Sequence, residues 1–373
     1  MSDRKLASIR EIKDIQSIPG ADQISKAVID GWEVVILKDQ FKIGDRCVYI
    51  EIDSICPPRK EFQFLEPRRY RIKTIRLKKQ ISQGIAFTLK ELGIPENTLL
   101  ETDLTKQLGI VKYDPQLKEE NDLIKQKKVN LFHKYMLRYG WYRNIFKKIK
   151  GWPSWVLKTD EERIQNLPSI LERNANEAVY VTEKLDGQSA TYTIKSKSIF
   201  NFFTKYDFYV CSRNIGFKKF SNNNYWSIAK SLDIEKKMKD YGVELTIQGE
   251  IIGPGIQKNK YNLTELQFWV YNIHGITQDI HCGYHHIKEI CDKLGLQMVP
   301  LIYIGLLSDF AKTIPEIVEK SKGDSTLLKR PREGIVVRTL DSRSGRKPDS
   351  FKVISPEFLI KEETEDEKSI SKT

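Results

Sequence analysis

The segment Val181-Thr182-Glu183-Lys184-Leu185-Asp186-Gly187 decides how the rest of the chain is interpreted. In an extended strand, Lys184 and Asp186 lie on the same side and can contact the same ligand. A lysine amine attacks phosphorus only when it is unprotonated, which requires burial or nearby cations, including a metal ion that Asp186 would help to hold. Gly187 permits close approach of the backbone to a phosphate. Taken alone, this short pattern is more often a solvated turn.

Five later segments supply, in order, the groups that such a lysine requires. Arg213 closes a strand and has the forked guanidinium that binds ribose or phosphate oxygens. Glu250 ends an apolar strand between glycines, and Phe268 begins an aromatic strand that offers a ring for stacking on a base. Glu333 and Lys352 add a second carboxylate and a second lysine. The segments are 212–214, 248–255, 268–273, 332–338 and 350–354.

Residues 1 to about 105 carry short stretches of alternating apolar and polar residues, separated by turn signals such as Asp30-Gly31. This pattern predicts a small antiparallel barrel, and an OB-like barrel is the preferred form. The stretch 68–79 alternates apolar residues with arginines and lysines, which suits either a nucleic-acid groove or a solvated face. The predicted strands lie at 27–29, 32–37, 47–52, 70–77 and 84–89.

Residues 106–158 differ from both flanking regions. From Leu123 to Trp155 the chain has no acidic residue, and lysines and arginines alternate with aromatic residues. Such a stretch is typical of an RNA contact, an interfacial helix on an anionic membrane, or a helical connector. Gly140 and Gly151 interrupt any long amphipathic face, so an RNA contact or a connector is favoured over a membrane.

From residue 159 to about 361, predicted strands alternate with helices, which indicates an α+β or mixed domain. Thr159 and Glu162 have capping-box spacing and predict a helix that carries Arg163. The acidic tail from residue 363 lacks apolar anchors and is expected to be disordered. The predicted strands lie at 180–193, 208–211, 245–252, 268–273 and 334–338, with a helix at 284–294.

The length of 373 residues favours two domains, and the net charge of +12 favours a polyanionic partner. The five cysteines are scattered, which suits reduced thiols better than a disulfide framework. No apolar run approaches the roughly 20 residues that span a bilayer, and no secretory signal opens the chain. The composition therefore argues against membrane-spanning and secreted classes and predicts a cytoplasmic protein.

The six chemistry-bearing segments resemble, in order and spacing, motifs I, Ia, III, IIIa, IV and V of the covalent nucleotidyltransferases. This superfamily contains the ATP-dependent ligases and the mRNA capping enzymes. Short N-terminal stretches resemble the OB domain that precedes the ligase domain in one branch of 3′-OH/5′-phosphate RNA ligases. These stretches are 20–22, 31–32, 41–45, 51–54 and 80–84.

The resemblance covers nearly the whole chain and implies an α+β fold. An N-terminal OB-like β-barrel is followed by an adenylyltransferase (ATP-grasp-like ligase) domain of antiparallel sheets with flanking helices. The implied boundaries are 1–105 for the OB-fold domain, 106–158 for a basic aromatic linker, 159–362 for the nucleotidyltransferase domain and 363–373 for a disordered tail.

The resemblance also implies a role for each site residue. Lys184 becomes the AMP adduct, and Lys352 acts with it by neutralising the α-phosphate. Asp186, Glu250 and Glu333 organise the catalytic metal, largely through its waters. The nucleotide-binding residues are Glu183 in the adenine pocket, Arg213 on the sugar, Phe268 stacked on adenine and Arg163 on the outgoing β- and γ-phosphates, together with Glu250, Glu333 and Lys352.

The implied function is an ATP-dependent RNA ligase that joins 3′-OH and 5′-phosphate ends through lysyl-AMP and an adenylylated polynucleotide, in RNA repair. ATP and Mg²⁺ or Mn²⁺ are the expected cofactors, RNA is the expected partner, and a monomer is expected. A DNA ligase and a GTP-dependent capping guanylyltransferase are alternatives, although both usually place their OB domain after the catalytic domain. The non-enzyme alternative, an RNA-binding protein with a degenerate ligase domain, predicts missing motif residues, whereas all are present here.

Residues 281–291 contain a histidine and cysteine cluster that suggests a second metal site. His281 and His285 have the i, i+4 spacing of a zinc pair, and Cys282 and His286 lie beside them. Cys291, however, falls on the apolar face of its predicted helix, and no paired CxxC accompanies it. A structural role for this cluster is therefore favoured over zinc.

Overall fold

The computed structural model describes residues 4–370, except 115–134, 136–137, 139–148, 197–205, 220 and 341–347. Most of the basic segment at 123–155 lies outside the described residues, and its role stays a prediction. The described chain forms two bodies, an N-terminal barrel and a larger C-terminal domain of two antiparallel sheets.

The N-terminal body is built around one long strand, β1 (Ala7–Ser17), which pairs with strands on both sides. A bulge between Ile12 and Asp14 bends β1, which lets the sheet curl around its core. The sheet order is β3-β2-β1-β4-β8, with β6 and β7 forming a separate hairpin. The strands are β2 (Ile24–Ile29), β3 (Trp32–Leu37), β4 (Arg46–Ile50), β5 (Ser54–Ile55), β6 (Thr74–Leu77), β7 (Gln80–Gln83), β8 (Ile85–Phe87) and β9 (Val111–Lys112).

The predicted OB-like barrel is confirmed, with two differences. Strand β1 was not predicted, because its second half carries charged residues that break the alternation. The barrel also extends beyond the predicted boundary at 105, since β9 pairs with β5 and Leu108 and Ile110 are buried in the barrel core. Apolar burial of these two side chains fixes the end of the domain to the barrel.

The C-terminal domain contains one sheet ordered β10-β14-β13-β12-β15-β16-β17, with β18 beside β16, and a second sheet ordered β19-β11-β20-β21. Its strand pairs are antiparallel, except that β16 and β18 are parallel. The expected α+β ligase-type domain is therefore confirmed. The strands are β10 (Ile149–Lys150), β11 (Ala178–Lys184), β12 (Gln188–Ser196), β13 (Tyr206–Cys211), β14 (Gly216–Phe217), β15 (Leu245–Ile252), β16 (Gln267–Gly275), β17 (Ile280–His281), β18 (Gln297–Met298), β19 (Leu301–Leu306), β20 (Gly334–Thr339) and β21 (Ser350–Ile354).

The helices flank these sheets, and the helix predicted at 284–294 is found with those bounds. The described α-helices are α1 (Thr105–Leu108), α2 (Ile170–Arg173), α3 (Asn224–Ser231), α4 (Ile234–Tyr241), α5 (Tyr284–Leu294), α6 (Leu307–Phe310), α7 (Ile314–Ser321) and α8 (Pro356–Ile370). Short 3₁₀ turns lie at Lys60–Arg68, Lys90–Leu92, Ile164–Asn166 and Gln257–Asn259. In the described part of the chain, no helix combines the length and the apolar character needed to cross a membrane.

The helix predicted to begin at Thr159 is wrong. The chain is irregular up to a 3₁₀ turn at Ile164–Asn166. The hydroxyl of Thr159 lies 3.3 Å from that of Tyr271, and Glu162 accepts a hydrogen bond from the next backbone N–H. The capping-box residues are thus used in tertiary contacts and a local turn, so the spacing alone did not produce a helix.

The C-terminal segment also differs from the prediction, because α8 continues through residues 363–370, which were expected to be disordered. Glutamate and lysine have high helix propensity, and after Pro356 the helix contains neither glycine nor proline. Leu359 packs against the barrel core, so α8 joins the catalytic domain to the barrel.

Candidate active site

A cleft of about 390 Å³ lies between the barrel and the C-terminal domain. Among the residues that the structure describes, its walls carry nine basic and five acidic side chains, so positive charge is in excess there. The barrel contributes Asp53 and Arg71, and the C-terminal domain contributes Lys184, Glu333 and Lys352. A confined cleft with an excess of one charge attracts ligands of the opposite charge, here anions.

Lys184 ends β11 and its side chain meets Glu333 in the cleft. The pairing of β11 with β20 places Lys184 opposite Gly334, the first residue of β20. Glu333, which directly precedes Gly334, therefore lies beside the lysine. Nζ of Lys184 is 2.7 Å from the Glu333 carboxylate. Sheet register thus brings together two predicted residues that are 149 positions apart.

The turn after β11 brings the chain against β15. A Cβ atom on Gly187 would lie 2.3 Å from the carbonyl oxygen of Ile251, so only glycine fits there. The backbone N–H of Asp186 donates to the hydroxyl of Tyr261 at 2.9 Å, and the Asp186 carboxylate is paired with Lys260. Lys184 and Asp186 both line the cleft, as their spacing predicted.

The charges around Lys184 control its protonation. Burial favours the neutral amine, but the negative charges of Glu333, Glu250 and Asp186 outweigh burial and raise the pKa of Lys184. Burial also raises the pKa of Glu250, to about 8, and the charges of Glu333 and Asp186 act in the same direction. The ligand-free protein therefore holds Lys184 as an ammonium beside crowded carboxylates.

The three carboxylates that crowd around Lys184 are the predicted metal residues Asp186, Glu250 and Glu333. Burial is the main cause of the raised pKa of Glu250, and a divalent cation would relieve the repulsion from Glu333 and Asp186 that adds to it, so the charge pattern fits a metal. Within the ranges that the structure describes, no three acidic, histidine or cysteine side chains are grouped closely enough to hold a metal ion directly. The arrangement fits a hydrated metal, held through water, and not a preformed cage.

Lys352 lies in β21 beside a carboxylate that the sequence did not single out. Its Nζ is 2.9 Å from Oδ1 of Asp160, and Asp160 also contacts Arg213 and Lys112. Burial, followed by the charges of Arg163 and other cations, lowers the pKa of Lys352 to about 8 even though Asp160 opposes the change. Lys352 and Arg213 therefore converge at one point of the cleft.

Arg163 is buried at the contact between the two domains. Its Nη2 atom lies 2.9 Å from Oδ2 of Asp53, and the other oxygen of Asp53 is 3.1 Å from Arg71. The guanidinium also lies 5.9 Å from the ring centre of Trp32. The Nε atoms of Arg163 and Arg71 are buried and have no hydrogen-bond partner among the described residues. The barrel therefore holds the residue that was predicted to bind outgoing phosphates.

Glu183 points away from Lys184 into the protein. Its Oε2 atom accepts hydrogen bonds from the N–H and hydroxyl of Thr326, at 2.8 and 2.7 Å. Its Oε1 atom is buried and has no hydrogen-bond partner among the described residues. A buried acceptor without a donor fits a pocket that receives an amino group.

The predicted stacking role of Phe268 does not fit the structure. Phe268 is only 2% exposed, packs edge-on against Tyr192, and would collide with a side chain at Gly249. It therefore belongs to the core on the far face of β16. Tyr271 lies on the opposite face, with its hydroxyl 2.6 Å from Ser189, and Glu250 raises its pKa in addition to burial. Tyr271 is thus an aromatic residue of β16 on the face that carries Ser189.

The histidine and cysteine cluster is divided between the core, which holds His281 and Cys291, and the surface, where His285 and His286 are exposed. Cys291 is 1% exposed in the core, and burial raises its pKa to about 12. The ring of His281 packs 4.9 Å from His274, whose Nε2 atom is 2.9 Å from Asp279. This agrees with the preference for a structural role over zinc.

Comparisons with known proteins agree with this geometry. Residues 6–89 match a family described as an OB-fold domain, and residues 177–354 match the RNA ligase family. An RNA ligase of Naegleria gruberi, solved with pyrophosphate, is 30% identical, with a TM-score of 0.78 over 98% of this chain and 100% of that chain. The chain belongs to the RNA ligase family. No curated sequence matches this RNA ligase.

Two mutants of the same Naegleria enzyme resemble this RNA ligase over 95% of its length and 98% of theirs, at 29% identity. One was solved with ATP and Mn, with a TM-score of 0.78, and the other with AMP and Mn, with a TM-score of 0.77. The likeness spans the barrel and the catalytic domain together.

Sequence reasoning missed several residues of this site, among them Asp53, Lys260 and Asp160. Asp53 and Lys260 carry no local signal, because each acquires its partner from a distant segment. Asp160 lies in a charged run beside Arg163, and that run was interpreted as a helix start. No local signal in that run distinguishes Asp160 from its charged neighbours.

Proposed function

We propose that this RNA ligase joins 3′-OH and 5′-phosphate RNA ends, with ATP as its second substrate and Mg²⁺ or Mn²⁺ as its metal. The contact between Lys184 and Glu333 inside a positively charged cleft carries this proposal. A lysine in such a cleft has both a route to a phosphate and carboxylates that suit a metal. The ATP and Mn of the related Naegleria structures support the same ligands here.

In the first step, Nζ of Lys184 attacks the α-phosphorus of ATP. An N–P bond forms, the bond to the β-phosphate oxygen breaks, and pyrophosphate leaves with its electron pair. Lys352 neutralises the α-phosphate, and Arg163 stabilises the departing pyrophosphate. Lys184 must first lose a proton, because the neighbouring carboxylates raise its pKa.

A divalent cation held through water by Asp186, Glu250 and Glu333 would offset their charge, lower the pKa of Lys184 and neutralise phosphate oxygens. In the second step, an oxygen of the RNA 5′-phosphate attacks the α-phosphorus, and the N–P bond to Lys184 breaks. In the third step, the 3′-hydroxyl gives its proton to water and attacks the 5′-phosphorus, a phosphodiester forms and AMP leaves. The excess positive charge of the cleft supports binding of both RNA ends.

Adenine would lie between the two sheets of the catalytic domain. The unpartnered Oε1 atom of Glu183 suits the amino group of adenine, and Tyr271 offers the ring for stacking. Tyr271 replaces Phe268 in this role, since Phe268 is enclosed in the core.

We further propose that the protein acts as a monomer in the repair of broken RNA in the cytoplasm. Sealing of DNA and transfer of GMP to an RNA cap are the alternatives within the same chemistry. The position of the barrel before the catalytic domain favours RNA sealing over both.

Labelling with radioactive ATP tests the proposal. The protein, incubated with α-labelled ATP and Mg²⁺ or Mn²⁺, should give a labelled band that Lys184→Ala loses and the exposed control Lys312→Ala keeps. A panel of nicked RNA, nicked DNA and mixed duplexes then identifies the strand that is sealed. An unlabelled wild type rejects the enzyme proposal, and sealing confined to nicks with a DNA 3′-OH rejects the RNA assignment.

A further inference from the structure

Asp160 gathers three cations that come from three separate parts of the chain. Its Oδ1 atom lies 2.9 Å from Nζ of Lys352 in β21, and its Oδ2 atom lies 3.2 Å from Nζ of Lys112 in β9 of the barrel. Arg213, which follows β13, contacts the same Oδ2 atom. The charge of Asp114 also acts on Arg213, so two carboxylates face three cations and positive charge is still in excess at this point of the cleft.

Tertiary contacts, and not regular structure, hold Asp160 in place. The residue lies in the irregular stretch before the 3₁₀ turn at Ile164–Asn166, and its side chain is 38% exposed. The carboxylate can therefore leave the cations by a local change of the chain. A carboxylate offers two oxygens, whereas a phosphate monoester offers three and carries close to two negative charges.

Lys112 is the unexpected member of this group. It belongs to the barrel, since β9 pairs with β5, yet its ammonium points into the catalytic cleft. The barrel thus adds a cation directly beside Lys352, the lysine to which the α-phosphate is assigned.

We propose that Lys112, Arg213 and Lys352 together bind a terminal phosphate group, and that Asp160 occupies this position until the phosphate displaces it. This inference rests on the proposed function, which brings two such groups to the cleft. They are the 5′-phosphate of an RNA end and the phosphate of the adenine nucleotide, and both present the same monoester chemistry. The barrel then takes part in recognising the reacting phosphate.

Equilibrium binding without metal tests the inference, because no bond can form. Fluorescence anisotropy compares a nicked RNA duplex carrying a 5′-phosphate with the same duplex carrying a 5′-hydroxyl, and calorimetry compares AMP with adenosine. Lys112→Ala should reduce the preference for the phosphorylated ligand about tenfold. Asp160→Asn should increase that preference several-fold. The matched control, Lys106→Ala, removes an exposed lysine of α1 and should leave the preference unchanged.

The two ligand pairs identify the source of the phosphate. A loss of preference confined to RNA assigns the subsite to the 5′ end, and a loss confined to AMP assigns it to the nucleotide. Lys112→Ala that weakens phosphorylated and unphosphorylated ligands equally overturns the inference, because any lost cation weakens RNA binding in that general way. Weaker phosphate binding by Asp160→Asn also overturns it.

Failure of the proposed function is distinguishable from failure of the subsite. A wild type that is not labelled by ATP, but that retains the phosphate preference and loses it in Lys112→Ala, rejects the ligase mechanism and keeps the subsite. A wild type that is labelled, with an unchanged preference in Lys112→Ala, keeps the mechanism and rejects the subsite.

Discussion

The indole nitrogen Nε1 of Trp32 in the barrel donates a 2.8 Å hydrogen bond to Oδ1 of Asn166 in the catalytic domain. The Asn166 amide in turn donates to Glu51 of the barrel at 2.8 Å, and Glu51 is paired with Arg4. Trp32 and Glu51 are almost fully buried. A single amide thus satisfies two buried groups and makes the barrel and the catalytic domain parts of one polar network.

Asn166→Ala should lower the free energy of unfolding by about 2 kcal/mol, because it leaves the buried Trp32 donor unpaired and removes one of the two partners of the buried Glu51 carboxylate. Urea denaturation followed by tryptophan fluorescence measures the loss. The control Asn97→Ala, at an exposed position, should change stability by less than about 0.5 kcal/mol. Equal stability of the two variants would show that the network does not hold the domains together.

Glu333→Gln should make the Lys184 amine more reactive in the ligand-free protein. Removing the carboxylate that lies 2.7 Å from Nζ lowers the pKa of Lys184, so a larger fraction is neutral at any pH below that pKa. Acylation of Lys184 at pH 8, followed by peptide mass spectrometry, should be several-fold faster than in the wild type. Glu319→Gln, on the surface, is the control and should not change the rate. An unchanged rate in Glu333→Gln would mean that other charges hold the proton.

Affinity for AMP should decline as the pH rises through about 8, because the Lys352 ammonium, whose pKa burial lowers to about 8, is lost in that range. Affinity falls and does not rise, because above pH 8 the AMP-free protein has a neutral Lys352 that must first take up a proton to pair with the phosphate. Titration calorimetry should show a decline of about tenfold between pH 7 and 9. Lys352→Arg keeps its charge at both values and should remove most of the decline. A decline of the same size in Lys352→Arg would assign it to another group.

Gly187→Ala should destabilise the protein by about 2 kcal/mol, because the added methyl group would lie 2.3 Å from the carbonyl oxygen of Ile251. The strain falls on the turn that carries Lys184 and Asp186, so labelling by ATP should be lost as well. Gly275→Ala is the matched control, since the nearest atom to its Cβ is 3.8 Å away. Denaturation and labelling of both variants check the prediction, and equal behaviour would contradict it.

Tyr271→Ala should weaken ATP binding about tenfold, which is the usual effect of removing a stacked ring. Phe268→Ala should instead lower stability by about 3 kcal/mol, because it opens a cavity in the core beside Tyr192. Calorimetric titration with ATP and chemical denaturation separate the two effects. Weaker ATP binding by the conservative variant Phe268→Leu, with Tyr271→Ala unaffected, would return the stacking role to Phe268.

Much of the secondary structure could be predicted, because local patterns govern it. The helix Tyr284–Leu294 and the strand Trp32–Leu37 have the predicted bounds, since apolar periodicity and flanking turn residues define both. The helix predicted from Thr159 failed for the opposite reason. Its charged residues find partners in distant segments, which local patterns do not contain.

Local sequence patterns do not show which face of a strand meets the ligand. The side chains of β16 point alternately to its two faces, and both faces are covered by protein. Alternation therefore cannot distinguish the face of Phe268 from the face of Tyr271. Only the packing of the sheets makes that choice.

The sequence by itself determined the order of the two domains and, through the resemblance of its six motifs, the family and the assignment of Lys184 as the proposed nucleophile, because the types and order of the motif residues are readable along the chain. The tertiary structure alone decided that Glu333 holds the proton on Lys184, that the barrel supports Arg163 through Asp53, and that Asp160 lies among three cations. The reason is physical. Charges act through space, and sheet register and domain contact, not chain distance, set the separations that matter.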